Sequence, residues 1–244
     1  MARERTAALI VIGNEILSGK VVDTNSPFLA EQLRGLGVSL RRIVVIPDEV
    51  DVIADTVRSI HPEFEVVFTS GGVGPTHDDV TISGIAAGLG RQVVCHPVLE
   101  SKLREYFGEA VNPARLKMAE VVEGTELLFE GNVSFPTMRV ENIYVLPGIP
   151  EIFREKFTSM RQRFATDPFH LRAIYTNAPE STIAVFLNRT MESFPELMLG
   201  SYPKLNDPEY RVRITLESKS QDYVEQAFMA LLEMLPPSAV VRTE

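Results

Sequence analysis

Thr69-Ser-Gly-Gly-Val-Gly-Pro-Thr-His-Asp-Asp-Val-Thr81 follows directly on the apolar run Val66-Val67-Phe68. A β-branched and aromatic run that breaks into glycines and reopens as the apolar segment Val80 to Leu89 reads as strand, loop and helix, the arrangement with which open α/β sheets bind ligands. Gly71, Gly72 and Gly74 admit positive φ and close approach to the main chain, so Gly71, Gly72, Val73, Gly74 and Thr76 form a ligand-binding loop whose N–H donors suit phosphate oxygens. The helix behind them adds its positive end. Asp78 and Asp79 bring two negative charges to the same place, which an anionic ligand tolerates when a cation sits between. Phosphate with a metal ion is therefore one reading. The other is that Asp78 or Asp79 caps the helix, a common use of aspartate.

The same strand-to-loop pattern recurs upstream. Ala7 to Ile12 is a buried-strand run that stops at Gly13, with Glu15 just beyond its carboxyl end. Gly13 to Lys20 invites comparison with a phosphate-binding P-loop and fails it: five residues, not four, separate the glycines, and Val21 stands where Ser or Thr is needed. Asp23-Thr24-Asn25 offers a cap and Pro27 an early-turn proline, so Ser26 to Leu36 reads as a helix with Phe28, Leu29 and Leu33 inward, ended by Gly37. Leu40 to Ile46 is a second strand, followed by Pro47-Asp48-Glu49 and a helix through Ile53, Val57 and Ile60. Strands alternating with helices at this spacing predict a parallel sheet with its carboxyl ends along one edge. Glu15, Asp48 and the glycine loop share that edge, which raises Asp48 above a plain turn residue; the alternative is a cap on the helix after it.

Downstream, a strand at Gln92 to Val94, a helix from Pro97 to Phe107 and a helix opening at Asn112-Pro113 are expected. The last carries Arg115 and Lys117, and Lys117 is a candidate for the cation opposite the carboxylates. Glu126 to Phe129 and Met138 to Val140 read as short strands around a turn at Gly131-Asn132. Ile143 to Leu146 is a further buried strand, meeting Pro147-Gly148-Ile149-Pro150 before a helix to Phe164. The pattern changes at Asp167-Pro168. Strands at Leu171 to Thr176, Leu197 to Tyr202, Tyr210 to Glu217 and Ala239 to Val241, with helices at Glu180 to Met191 and Ser220 to Leu235, give the order β-α-β-β-α-β. The fold class is thus α/β: a three-layer, mostly parallel sheet with helices on both faces over residues 1–166, followed by a small α+β (βαββαβ) domain over 167–244. The small domain carries no cluster of catalytic residue types and reads as a substrate lid or an oligomer surface.

At 244 residues, 45% hydrophobic and 23% charged, the composition is that of a soluble globular protein. No apolar run reaches the roughly 18 residues of a membrane span, and Met1 to Arg5 is too short and polar for a signal peptide, so a cytoplasmic location is expected. The net charge of −9 argues against nucleic acid or an anionic membrane as partner. Cys95, the single cysteine, precludes an internal disulfide or a cysteine-built zinc site and is expected to be a small core residue.

Gly13-Asn-Glu-Ile-Leu-Ser-Gly19, Asp23-Thr24-Asn25, Pro47-Asp48-Glu49, Gly71 to Thr81 and Leu146-Pro-Gly-Ile-Pro150, in this order, resemble the MoaB/Mog-type molybdopterin-binding domain found in CinA proteins. Phe135-Pro136 ahead of Val140 to Pro150, and Leu199-Gly-Ser-Tyr-Pro203, are more similar to the version that precedes the adenylyltransferase in eukaryotic FAD synthases, which extends the likeness to almost the whole chain. The resemblance implies a pocket at the motif loops, where Asn25, Pro147 and Gly148 join the glycine loop as ligand-binding positions. It implies Asp48 and Asp79 as the functional acids. It further implies hydrolysis of a dinucleotide pyrophosphate such as FAD or ADP-ribose, with a divalent cation of the Mg, Mn or Co type and with potassium. Asn14, where many relatives carry Asp, and the stretch Asn132 to Pro136 depart from the CinA pattern.

The expected activity is therefore metal-dependent hydrolysis of a nucleotide pyrophosphate, with Asp48, Asp79 and Lys117 catalytic and with Asp48, Asp79, Asp78 and Glu15 around the metal. The competing expectations are a module that binds molybdopterin or a nucleotide without turnover, and an assembly scaffold. In each of the first two the partner is a phosphorylated small molecule, a dinucleotide or a pterin. The resemblance also implies a homo-oligomer.

Overall fold

The computed structural model describes residues 4–131, 135–205 and 208–244. They form two compact units, one ending at Thr166 and one spanning Asp167–Glu244. Of the turn expected at Gly131-Asn132, Asn132 lies outside the described residues.

The first unit runs β1 (Thr6–Ile12), α1 (Asn14–Leu17), α2 (Asn25–Gly35), β2 (Ser39–Ile46), α3 (Val50–Ile60), β3 (Val66–Ser70), α4 (Thr81–Leu89), β4 (Val93–Cys95), α5 (Pro97–Phe107), α6 (Pro113–Lys117), β5 (Glu120–Val122), β6 (Glu126–Leu128), β7 (Thr137–Val140), β8 (Ile143–Leu146) and α7 (Pro150–Met160). Six strands pair in the order β2-β1-β3-β8-β7-β6. The first four are mutually parallel, while β7 is antiparallel to β8 and β6 to β7. Ala7 to Ile12 are all buried, which is why β1 reads as a continuous apolar run and not as an alternation. Leu9 and Val11 pack with Leu29, Leu33, Phe153 and Phe157 of α2 and α7; Ile10 and Ile12 pack with Ile53, Val57 and Ile85 of α3 and α4. Two cores on opposite faces of one sheet make the three layers.

Two local expectations need correction. The strand expected at Gln92 to Val94 is β4, and it pairs with β5, which the sequence did not announce, in a separate two-stranded antiparallel ribbon. All of β4 is exposed, so Cys95 is a surface residue and not a core one. The ribbon also carries Ala119 and Val121 into a small satellite core with Leu99 and Leu103 of α5.

The second unit runs β9 (His170–Thr176), α8 (Glu180–Ser193), β10 (Met198–Pro203), β11 (Val212–Ser218), α9 (Gln221–Met234) and β12 (Val240–Thr243), an antiparallel sheet of order β10-β11-β9-β12. Val212, Ile214 and Leu216 alternate into one core with Ile183 and Leu187 of α8 and Val224, Phe228 and Leu231 of α9. Among the described residues no helix is long and apolar enough to cross a membrane.

Candidate functional site

Parallel β1, β2, β3 and β8 deliver Gly13, Pro47-Asp48, Gly71 and Pro147-Gly148 to one edge of the sheet. Asn25 stitches part of that edge together. Asp23 fixes the start of α2 by accepting from the main-chain N–H of Asn25 and Ser26 at 2.9 and 3.0 Å. The Asn25 side chain, 5% exposed, then donates through Nδ2 to Ser70 Oγ at 3.0 Å and to the Gly148 carbonyl at 2.9 Å. Glu15 lines the same small cleft as Asn25, Ser70 and Gly148. Asp48 does not cap the helix that follows it, since Glu49 holds the N-cap of α3 without a side-chain bond. Its Oδ2 accepts instead from Asn14 N at 2.7 Å, so it caps α1 from across the sheet edge.

The glycine loop is closed by Asp79. Its Oδ1 accepts from Gly74 N at 2.7 Å, its Oδ2 from Thr76 N at 2.8 Å, and the Thr76 hydroxyl donates to it as well. Val80, without a side-chain bond, is the N-cap of α4, so neither Asp78 nor Asp79 caps that helix. A Cβ on Gly74 would lie 2.7 Å from the Asp79 carboxylate, so this glycine provides room for the clamp, whereas Gly71 and Gly72 have φ of 106° and 64°. The N–H groups of Gly74 and Thr76 are thus engaged by Asp79, and that of Gly71 donates to the Leu146 carbonyl at 3.2 Å. Gly72 and Val73 carry the loop donors outside these bonds.

Asp78 is exposed at the loop tip, where the Thr76 hydroxyl and the main chain at Asp78, then His77 and Lys117, hold its carboxyl below the usual value. Lys117 ends α6, whose start is capped by Asn112 accepting from Arg115 N at 2.9 Å. Its Nζ donates to the Thr76 carbonyl at 2.5 Å, which seats an ammonium on the glycine loop from 41 residues away. Gly72, Val73, Gly74, Asp79 and Lys117 line one cleft, together with Ser83 and Glu120.

The fit to a metal ion depends on the donors. Among the described residues no three His, Cys, Asp or Glu side chains converge into a preformed cage. A hydrated Mg-type ion needs less: one or two carboxylates plus the phosphates of the substrate. A carboxylate has about four acceptor positions, and Asp79 uses three on the loop, so Asp79 and the exposed Asp78 fit that looser mode.

Sequence reasoning missed a second, apolar cleft that shares Val73, Met118 and Met138 with the first and contains Lys156. Lys156 lies on α7 four residues after Ile152, on the face beside the buried Phe153 and Phe157, and a cation so close to an apolar stripe was the available signal. Its Nζ donates to the carbonyls of Phe135 and Pro136 at 2.7 Å each. Burial, opposed by Glu155, pushes the ammonium down from 10.5 to about 8. Between these two values the unfolded chain binds a proton that the folded chain does not, so stability contributed at Lys156 rises with pH across that window. Relative to Lys156→Met, the wild type is expected to gain up to about 3 kcal/mol between pH 7 and pH 10.5 in paired denaturant titrations. A difference constant across the window would contradict this.

An open α/β sheet whose carboxyl edge carries a clamped glycine loop and a seated lysine defines a protein of the three-layer α/β class, with the loop where such sheets bind ligands. The chain belongs to the family described as probable molybdopterin binding domain, which matches residues 8–165, and residues 168–244 match the family described as FAD synthase, middle domain. An Archaeoglobus fulgidus protein is 35% identical over 93% of this chain and 96% of its own length. A probable FAD synthase of Caenorhabditis elegans is 33% identical over 96% of this chain but 51% of its own length, so the chain spans about half of that relative. The crystal structure of the protein CinA from Thermoplasma acidophilum, whose function is described as unknown, aligns with a TM-score of 0.61 at 30% identity over 66% of this chain and 98% of that one. The molybdopterin-binding match therefore covers the first unit, and the likeness to FAD synthases extends over both.

Proposed function

We propose that the chain hydrolyses a nucleotide pyrophosphate of the FAD or ADP-ribose class with the help of a divalent cation. The observation that carries this reading is the Lys117 ammonium on the glycine loop, bonded to the Thr76 carbonyl beside the Asp79 clamp. The loop holds the diphosphate through the N–H groups of Gly72 and Val73, and Lys117 stabilises the charge that builds on the phosphoryl oxygens. Asp79 keeps the loop in shape, and Asp78 and Asp79 supply the anionic positions for a cation shared with the substrate. When bound, such an ion polarises a phosphoryl oxygen and lowers the pKa of an attacking water. Likeness to a probable FAD synthase supports a flavin or adenine dinucleotide as substrate.

The commitment of Asp79 to its own loop favours a second reading, in which the cleft retains its ligand without turnover. One experiment separates the two: purified protein incubated with FAD or ADP-ribose, with and without Mg, Mn or Co, followed by chromatography of the products. Metal-dependent release of mononucleotides is expected. Retention of intact dinucleotide with no product under any metal would overturn hydrolysis in favour of binding alone.

A further inference from the structure

An edge strand offers a row of main-chain N–H and C=O groups to any strand that can lie beside it. Among the described residues the two larger sheets end in β2, β6, β10 and β12. Three of these carry features that blunt an edge: β6 is three residues long, β10 ends in Pro203, and β12 breaks register between Val240 and Arg242. β2 is eight residues long, and from Arg42 to Ile46 it keeps register with β1 residue for residue. Ile43 and Val45 stand opposite Leu9 and Val11, on the face of the α2–α7 core, yet they are 45% and 38% exposed. Arg41 and Arg42 bond Glu4 and Glu63 of their own chain, exposed pairs that exchange partners at little cost.

The stretch Ser39-Leu-Arg-Arg-Ile-Val-Val-Ile-Pro-Asp-Glu49 runs from basic through apolar to acidic. Beside a parallel copy of itself it would set like charge against like. Beside an antiparallel copy it sets Arg41 and Arg42 toward Asp48 and Glu49, and apolar residues against apolar ones. A two-fold axis normal to the sheet keeps every side chain on its own face, so opposed residues differ by an even number of positions. With the axis at Val44, Ile43 opposes the partner's Val45 in two symmetric pairs, and Arg41 lies opposite Pro47 beside Asp48. An axis at Arg42 would oppose that arginine to itself, and one at Val45 would set Ile43 against Pro47, which has no N–H to give.

We propose that two copies of this chain associate by antiparallel pairing of their β2 edges about a two-fold axis at Val44, which joins their main sheets into one. The interface lies on the first unit. None of the residues lining the glycine-loop cleft belongs to β2, so the pairing stands independently of the proposed function.

Light scattering of the full chain is expected to give the mass of two chains. Ile43→Lys combined with Val45→Lys sets lysine opposite lysine in both pairs, and is expected to give the mass of one chain that is still folded by circular dichroism. Val241→Lys, at an exposed position on the edge strand β12, is the control and is expected to keep the mass of two. Crosslinking reads the register, in a Cys95→Ser background that removes the exposed native thiol. Ile43→Cys mixed with Val45→Cys is expected to form a disulfide between chains under mild oxidation, while Ile43→Cys alone is not, because its two copies lie beyond disulfide reach. A wild-type mass other than two chains, a two-chain mass that survives the double lysine variant, dissociation by Val241→Lys, or crosslinking of Ile43→Cys alone as fast as of the mixture would each overturn the proposal. So would a mixture that does not crosslink, a test that holds even if the double lysine variant does not fold.

Discussion

Gly71→Ala is expected to lower the melting temperature of the first unit by about 10 °C, a change that differential scanning calorimetry reads directly. Gly71 follows β3 where β1 and β8 also end. A Cβ there would lie 2.1 Å from the Ile12 carbonyl oxygen, and φ is 106°. The obstacle is main chain held by the β1–β3 ladder, from Ala7 opposite Val66 to Val11 opposite Ser70, so no side-chain rotation relieves it. Further restraint comes from the Thr81 hydroxyl, which donates to the Gly71 carbonyl at 2.9 Å, and from Gly71 N donating to Leu146. Overpacking and a sparsely populated φ together cost about 3 to 5 kcal/mol. Gly90→Ala is the control: its φ of 65° is left-handed too, but a Cβ there meets nothing within 4 Å, so only about 1 kcal/mol is lost. Equal melting of the two variants would show that the sheet edge is not as tightly built as described.

Much of the fold was legible because the sheet is buried on both faces. Continuous apolar runs such as Ala7 to Ile12 and Val66 to Phe68 are hard to satisfy elsewhere, and α5 matches Pro97 to Phe107 because Pro97 and Gly108 mark its ends. The β-α-β-β-α-β order of the second unit was legible because its four strand-like and two helical segments are each long enough to show their own period, as Val212, Ile214 and Leu216 do in β11. Short elements with mixed burial were not legible. β5 is three residues long and pairs away from the main sheet, and Cys95 is exposed at the end of a two-stranded ribbon. The candidate site shows the same division. Position along the sheet edge could be read for Glu15, Asp48 and the glycine loop, because strand ends are encoded locally. The partners of the acids could not, since Asp48 reaches Asn14 across 34 residues and Lys117 reaches Thr76 across 41. Asp79 looked like a cap because a cap and a loop clamp present the same residue just ahead of a helix.

That clamp decides which readout reports on catalysis by Asp79. Asn at position 79 keeps one acceptor oxygen but turns an NH2 toward either Gly74 N or Thr76 N, so one main-chain bond of about 1 to 3 kcal/mol is lost whatever Asp79 does chemically. Melting therefore does not separate a clamp from a catalytic acid, whereas kinetics do. A loosened loop loses substrate affinity and raises KM; loss of an anion needed in the transition state lowers kcat. The direct test is steady-state hydrolysis of FAD by wild type and Asp79→Asn at saturating substrate with the best divalent metal. The expected result is a kcat lowered a hundredfold to a thousandfold, equivalent to roughly 3 to 4 kcal/mol. A folded Asp79→Asn whose kcat stays within about a factor of three of wild type, under 1 kcal/mol, would contradict a catalytic role for Asp79 at the glycine loop.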